Sequence, residues 1–167
     1  MNTMNTANPA GTLPKTAPGG LSALGLKLLA MALMLCDHLW ASVASDQAWL
    51  THIGRIAFPI FAFQIAEGFA RTHDRKRYLL RMLAFAAVSE IPFNLFYAGT
   101  AVYPFHQNVM FTFVLAILLL LGVEKFRAKG RIAYLLAAAA AVVLGYVLGT
   151  VTMVDYYGCG VVTVLLF

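Results

Sequence analysis

Residues 21–44 read LSALGLKLLAMALMLCDHLWASVA, and this stretch decides the fold. As a helix its 24 residues extend roughly 36 Å, more than the roughly 30 Å of hydrocarbon in a bilayer. Similar runs recur at 53–70, 78–98, 108–123 and 132–154. The whole chain is 61% hydrophobic and 11% charged, where soluble domains hold about 45–50% and about 25%. These patterns predict an all-α, polytopic transmembrane bundle with five full spans. After Asp155, YYGCGVVTVLLF opens a sixth apolar segment too short to cross before Phe167, so the transmembrane domain, 21–167, is expected to be cut short at its carboxy-terminal end. Residues 1–20, with three prolines, three glycines and no apolar run, are expected to form a disordered tail. A signal peptide is the alternative reading of the first span, with Lys27 as its basic region and Ser42, Val43 and Ala44 before cleavage. The 26 residues ahead of Lys27 and the four further spans argue against it.

Charge orients the spans. Arg71, Arg75, Lys76 and Arg77 lie between spans two and three, and Lys125, Arg127, Lys129 and Arg131 between spans four and five. The alternate loops carry Asp46, His106 and Asp155 with no Lys or Arg. By the positive-inside rule the basic loops and the amino terminus are cytoplasmic. The net charge of +5 therefore reads as membrane orientation, with no nucleic-acid partner implied. Cys36 and Cys159 each sit alone in an apolar stretch, so neither a disulfide framework nor a metal site is expected.

Ionisable groups inside spans are costly, which makes their depth informative. With these directions, Asp37 and His38 fall in the outer half of span one, Arg55 in the outer turn of span two, and Glu90 and Asn94 in the outer half of span three. Asn108 and Thr112 occupy the same layer of span four, and His106 and Asp155 its edge. Pro59 and Pro92 fall there too, and each is expected to kink its helix by clashing with the carbonyl four residues earlier, Arg55 or Val88. Asp37 and His38 are adjacent and point about 100° apart, so a carboxylate that orients His38 is expected from another span, with Glu90 the candidate. For Asp37 the structural alternative is an ion pair with Arg55; for Asn108 it is a helix cap. Glu67, four residues before Arg71, is expected to form a helix-end ion pair.

The blocks LKLLAMALMLCDHLWA, IGRIAFPIFAFQIAEGFART, YLLRMLAFAAVSEIPFNLFYAG, QNVMFTF and DYYGCGVVTVLLF resemble, in order and spacing, the TraX family of membrane proteins. More distantly, the chain is similar to transmembrane acyltransferases. The resemblance implies an acetyltransferase of the bacterial inner membrane that moves acetyl from cytosolic acetyl-CoA to a periplasmic acceptor, the amino-terminal amine of a pilin-like protein. It implies a reaction centre in the outer half, which the polar layer of His38, Asp37, Glu90, Arg55 and Asn108 is expected to supply, and an inner mouth for cofactor phosphates, expected at Arg71, Arg75, Lys76, Arg77 and Arg81. His38 suits the base or a transient acyl carrier, and Arg55 or Asn108 the donor that stabilises the oxyanion. Two readings stay open beside it: acetylation of a cell-surface glycan hydroxyl, and a non-enzymatic transporter or channel using intramembrane carboxylates.

Overall fold

A computed structural model describes residues 21–167, so the tail expected over 1–20 lies outside the described residues. The described chain is helical: α1 (Ala23–Ser42), α2 (Ala48–Gly54), α3 (Ala57–Arg71), α4 (Arg75–Ala98), α5 (Val109–Arg127), α6 (Arg131–Val151) and α7 (Tyr157–Leu166). With α2 and α3 taken as one interrupted crossing, five helical segments are long and apolar enough to span a membrane. The chain is a multi-pass membrane protein.

Local chemistry sets the helix boundaries. The Ser22 hydroxyl accepts from the Gly25 amide at 3.0 Å, Asp74 from Arg77 at 2.9 Å and Asn108 from Met110 at 2.9 Å, each satisfying an amide that the first helical turn leaves open. Gly99, in the left-handed region at φ 69°, ends α4.

The bundle centres on α5, which packs against α3, α4, α6 and α7 and buries Phe113, Ala116 and Ile117. Helix α1 packs on α2 and α3 and buries only Ala30, leaving Leu24, Leu28 and Leu35 turned outward. Lipid tails solvate such leucines as well as a protein core does, so small residues and close backbone approach hold the helices together. At one end of the bundle, Arg75 reaches Glu124 at 3.1 Å and ties α4 to α5. At the other end, Gln107 and Val154 pair in a parallel bridge that joins the connection before α5 to the one before α7.

The second crossing differs from the expected continuous helix. It breaks at Arg55 and Ile56, just upstream of Pro59, rather than kinking at the proline. Pro59 then sits in the first turn of α3, where its missing amide would have had no partner in any case. The Arg55 carbonyl is left to accept from Phe58 at 3.3 Å. Pro92 by contrast lies inside α4, which runs continuously through it. The expected helix-end pair is present, with Arg71 Nη2 2.7 Å from Glu67 Oε1.

Candidate functional site

A cavity of about 280 Å³ opens at the end of the bundle that carries Asp37. Its wall draws on α1 (Met34, Asp37, His38), α2 and α3 (Gly54, Ala57, Phe58, Phe61), α4 (Ser89, Phe93), α5 with its capping residue (Asn108, Val109, Met110) and the connection before α7 (Asp155, Tyr156). Three of the five residues expected at the reaction centre, Asp37, His38 and Asn108, meet there. Glu90 and Arg55 are outside the lining.

Asp37 is set by close helix packing. A Cβ on Gly54 would lie 2.6 Å from both Cβ and N of Asp37, so α2 can approach α1 only with glycine there. That approach brings the Thr51 hydroxyl within 2.7 Å of Asp37 Oδ1, to which it donates. The alternative expected for Asp37, an ion pair with Arg55, is not among the ion pairs of the described residues. Thr51 fills that role, and Arg55 is exposed at the helix break.

His38 Nδ1 lies 2.8 Å from the Met34 carbonyl oxygen, one turn back. Because a carbonyl only accepts, Nδ1 carries the proton in the neutral ring, and the lone pair is at Nε2. The group that orients His38 is therefore its own helix backbone. Glu90, expected in that role, is committed elsewhere: its Oε2 accepts from Asn108 Nδ2 at 2.6 Å and from the Asn108 amide at 3.3 Å.

Asn108 is buried and fully used. Its second amide hydrogen goes to the Ala86 carbonyl at 3.0 Å, and its Oδ1 caps α5 through Met110. Cap and interhelical clamp are thus one residue, and no donor remains on it for a substrate.

Asp155, at the edge of the polar layer, and Tyr156, which no sequence pattern singles out, both line the cavity. The connection that bears them is strained. Met153 (φ 53°), Tyr156 (φ 59°) and Tyr157 (φ 49°) all occupy the left-handed region without being glycine, at a cost of roughly 1–3 kcal/mol each. Three contacts hold the segment in place: the Gln107 amide on the Met153 carbonyl at 3.0 Å, the Asp155 amide on the Gln107 carbonyl at 3.0 Å, and the Thr112 hydroxyl on the Asp155 carbonyl at 2.7 Å. Gly158 closes the packing, since a Cβ there would run into the Tyr146 backbone.

Burial pushes the Asp155 carboxyl above its usual range, and the nearby Asp37 charge adds to this. Against it act His106, whose Nε2 is 3.6 Å from Asp155 Oδ1, and the Tyr156 amide. The Tyr156 phenol is pushed up to about 12, first by burial and then by Asp155 and Asp37, so it keeps its proton at any physiological pH. Its ring stacks on Phe58 with centroids 4.0 Å apart.

The opposite end holds the basic residues expected to meet a cofactor. Thr72, His73, Asp74, Arg75, Lys76 and Leu121 line an open depression there. Arg71 pairs with Glu67, Arg75 with Glu124 at 3.1 Å, and Arg77 with Asp74 at 3.4 Å, while Lys76 and Arg81 have no ion-pair partner among the described residues. Arg75 and Ser89 are fourteen residues apart on α4, so the depression and the cavity are separated by roughly 21 Å along that helix.

Residues 22–167 match a family model described as TraX protein. A probable fimbrial assembly protein FimC, serogroup H1, of Dichelobacter nodosus is 31% identical over 112 residues, covering 60% of this chain and 46% of that protein. Protein TraX of Escherichia coli (strain K12) is 32% identical over 93 residues, covering 54% of this chain and 36% of that protein. The chain thus spans less than half the length of these curated relatives. No solved structure matches it.

Proposed function

From the premise that this chain belongs to the TraX family, we propose that it is an acetyltransferase of the bacterial inner membrane. It moves acetyl from cytosolic acetyl-CoA to the amino-terminal amine of a pilin-like protein on the periplasmic side. The basic end faces the cytoplasm by the positive-inside rule, which sets the cavity on the acceptor's side. The observation that carries the reading is His38: its Nδ1 is engaged by Met34, which leaves the Nε2 lone pair available in a cavity that also holds Asp37 and Asp155.

In the proposed reaction the acceptor ammonium gives a proton to His38 Nε2, and the freed nitrogen lone pair attacks the thioester carbonyl carbon. The carbonyl π pair moves to oxygen and forms an oxyanion. Its collapse breaks the carbon–sulfur bond, and the thiolate leaves with the second amine proton as the CoA thiol. Asp37 and Asp155 supply negative charge that draws the cationic acceptor and stabilises imidazolium. Of the five cations expected there, Lys76 and Arg81 have no ion-pair partner among the described residues and can meet cofactor phosphates directly, with Arg71, Arg75 and Arg77 available by exchanging partners. A long thiol-bearing arm must then reach from that end to the cavity.

The test is transfer of labelled acetyl from acetyl-CoA by proteoliposomes containing the chain, with a pilin-like peptide on the far side. The expected result is label on the peptide amine, abolished by His38→Ala while membrane insertion and melting stay unchanged. Label on glycan hydroxyls would replace the acceptor and keep the chemistry. Full turnover in a well-inserted His38→Ala protein would remove the histidine from the reaction.

A further inference from the structure

Acyl transfer needs a donor at the developing oxyanion, and the two residues that sequence reading puts forward do not supply one. Arg55 is outside the cavity wall. Asn108 spends both amide hydrogens, on Glu90 at 2.6 Å and on Ala86 at 3.0 Å. The Thr51 hydroxyl is likewise committed to Asp37. Among the side chains of the wall, what remains is the phenol of Tyr156, with no hydrogen-bond partner among the described residues, and the hydroxyl of Ser89.

Three observations favour the phenol. A backbone with left-handed residues at 153, 156 and 157 stores strain that packing must offset, and such strain collects where a side chain has to be presented in one direction. The ring is fixed between that turn and Phe58, so donating a hydrogen bond costs it little conformational freedom. A phenol is also a stronger hydrogen-bond donor than an aliphatic hydroxyl, whereas Ser89 sits on a helix, where its hydroxyl can turn back to backbone carbonyls.

We propose that Tyr156 is a catalytic residue whose hydroxyl donates a hydrogen bond to the thioester oxyanion, held in place by the strained turn 153–157. The assignment rests on the acetyl-transfer reading above. The phenol keeps its proton throughout: as the π pair moves to oxygen the O–H···O contact shortens, and as the carbon–sulfur bond breaks it relaxes, with no net proton transfer.

The experiment compares wild type, Tyr156→Phe and Ser89→Ala in the proteoliposome assay, with melting temperature measured on the same preparations. Tyr156→Phe keeps the stack on Phe58 and deletes an oxygen with no protein partner among the described residues. It is expected to lower kcat by about 10²-fold with KM and melting temperature unchanged, while Ser89→Ala keeps kcat within about twofold. Wild-type transfer with Tyr156→Phe at full kcat would overturn the assignment and leave the acetyltransferase reading standing. So would a kcat loss matched by lower melting temperature, which makes the hydroxyl structural, or a kcat loss confined to Ser89→Ala. No transfer by wild type would remove the reading and the assignment together.

Discussion

Asn108 joins α4 to α5, and its two roles can be separated by substitution. Asn108→Ser keeps an oxygen able to cap α5 but removes the amide that donates to Glu90 at 2.6 Å and to the Ala86 carbonyl at 3.0 Å. A hydrogen bond to a charged group contributes about 1.5–3 kcal/mol. Asn108→Ala also removes the cap on the Met110 amide, a further loss of about 1 kcal/mol. At about 3 °C per kcal/mol for a domain of this size, these become drops of about 6 °C for Ser and about 9 °C for Ala. Glu90→Gln preserves an acceptor oxygen facing Asn108 and is expected to cost less than either. The assay is thermal melting of the full chain in detergent, read as loss of the monodisperse peak in size-exclusion chromatography. If Asn108→Ser melts with the wild type, the Glu90 contact contributes nothing. If Ser and Ala melt together, the cap does not.

Gly54→Ala places a methyl 2.6 Å from Asp37 Cβ; overpacking of this kind costs about 1–3 kcal/mol, so melting should fall by several degrees and transfer should drop as Asp37 shifts. Equal activity and melting would show that α2 can retreat freely. Asp155 holds its proton more tightly in the folded protein, so the stability it contributes is fully present below its ordinary value of 3.8 and is lost as pH rises through the raised folded value. Asp155→Asn, which cannot ionise, should therefore melt higher than wild type near neutral pH, and the gap should close on acidification; a gap independent of pH would count against a desolvated carboxyl. Lys76→Ala should weaken acetyl-CoA binding in a salt-sensitive way without unfolding, because no ion pair among the described residues is broken. Unchanged affinity at low salt would leave topology as the role of that lysine.

The five crossings were legible because apolar length is a property of sequence alone, and the Glu67 to Arg71 pair because helical spacing places it. The break at Arg55 and Ile56 was displaced from its expected place because a proline can enter a helix at its first turn as well as kink its interior. Depth placed Asp37, His38 and Asn108 in one layer, and the cavity brings them together. Depth carries no azimuth, however. Glu90 lies in that layer too, yet it faces Asn108 across the contact between α4 and α5 rather than His38. Reading the rotation of a helix requires knowing which neighbour it packs against, and that order is set by packing of the whole bundle.

Tyr156 was hidden for a different reason. A tyrosine pair followed by glycine suggests an aromatic belt at the membrane boundary and then the start of another helix. Neither pattern signals that two consecutive tyrosines adopt left-handed backbone. That conformation is selected by contacts distant in sequence: Gln107 grips Met153 and Asp155 from the loop before α5, Thr112 takes the Asp155 carbonyl, and Gly158 lets the Tyr146 backbone close in. Each of these residues is ordinary alone. Together they oppose a local cost of roughly 1–3 kcal/mol per residue, and loosening any one gives the turn a route to relax. Thr112→Val, nearly isosteric and lacking the hydroxyl that holds the Asp155 carbonyl 43 residues away in sequence, should therefore disturb the neighbouring Tyr156.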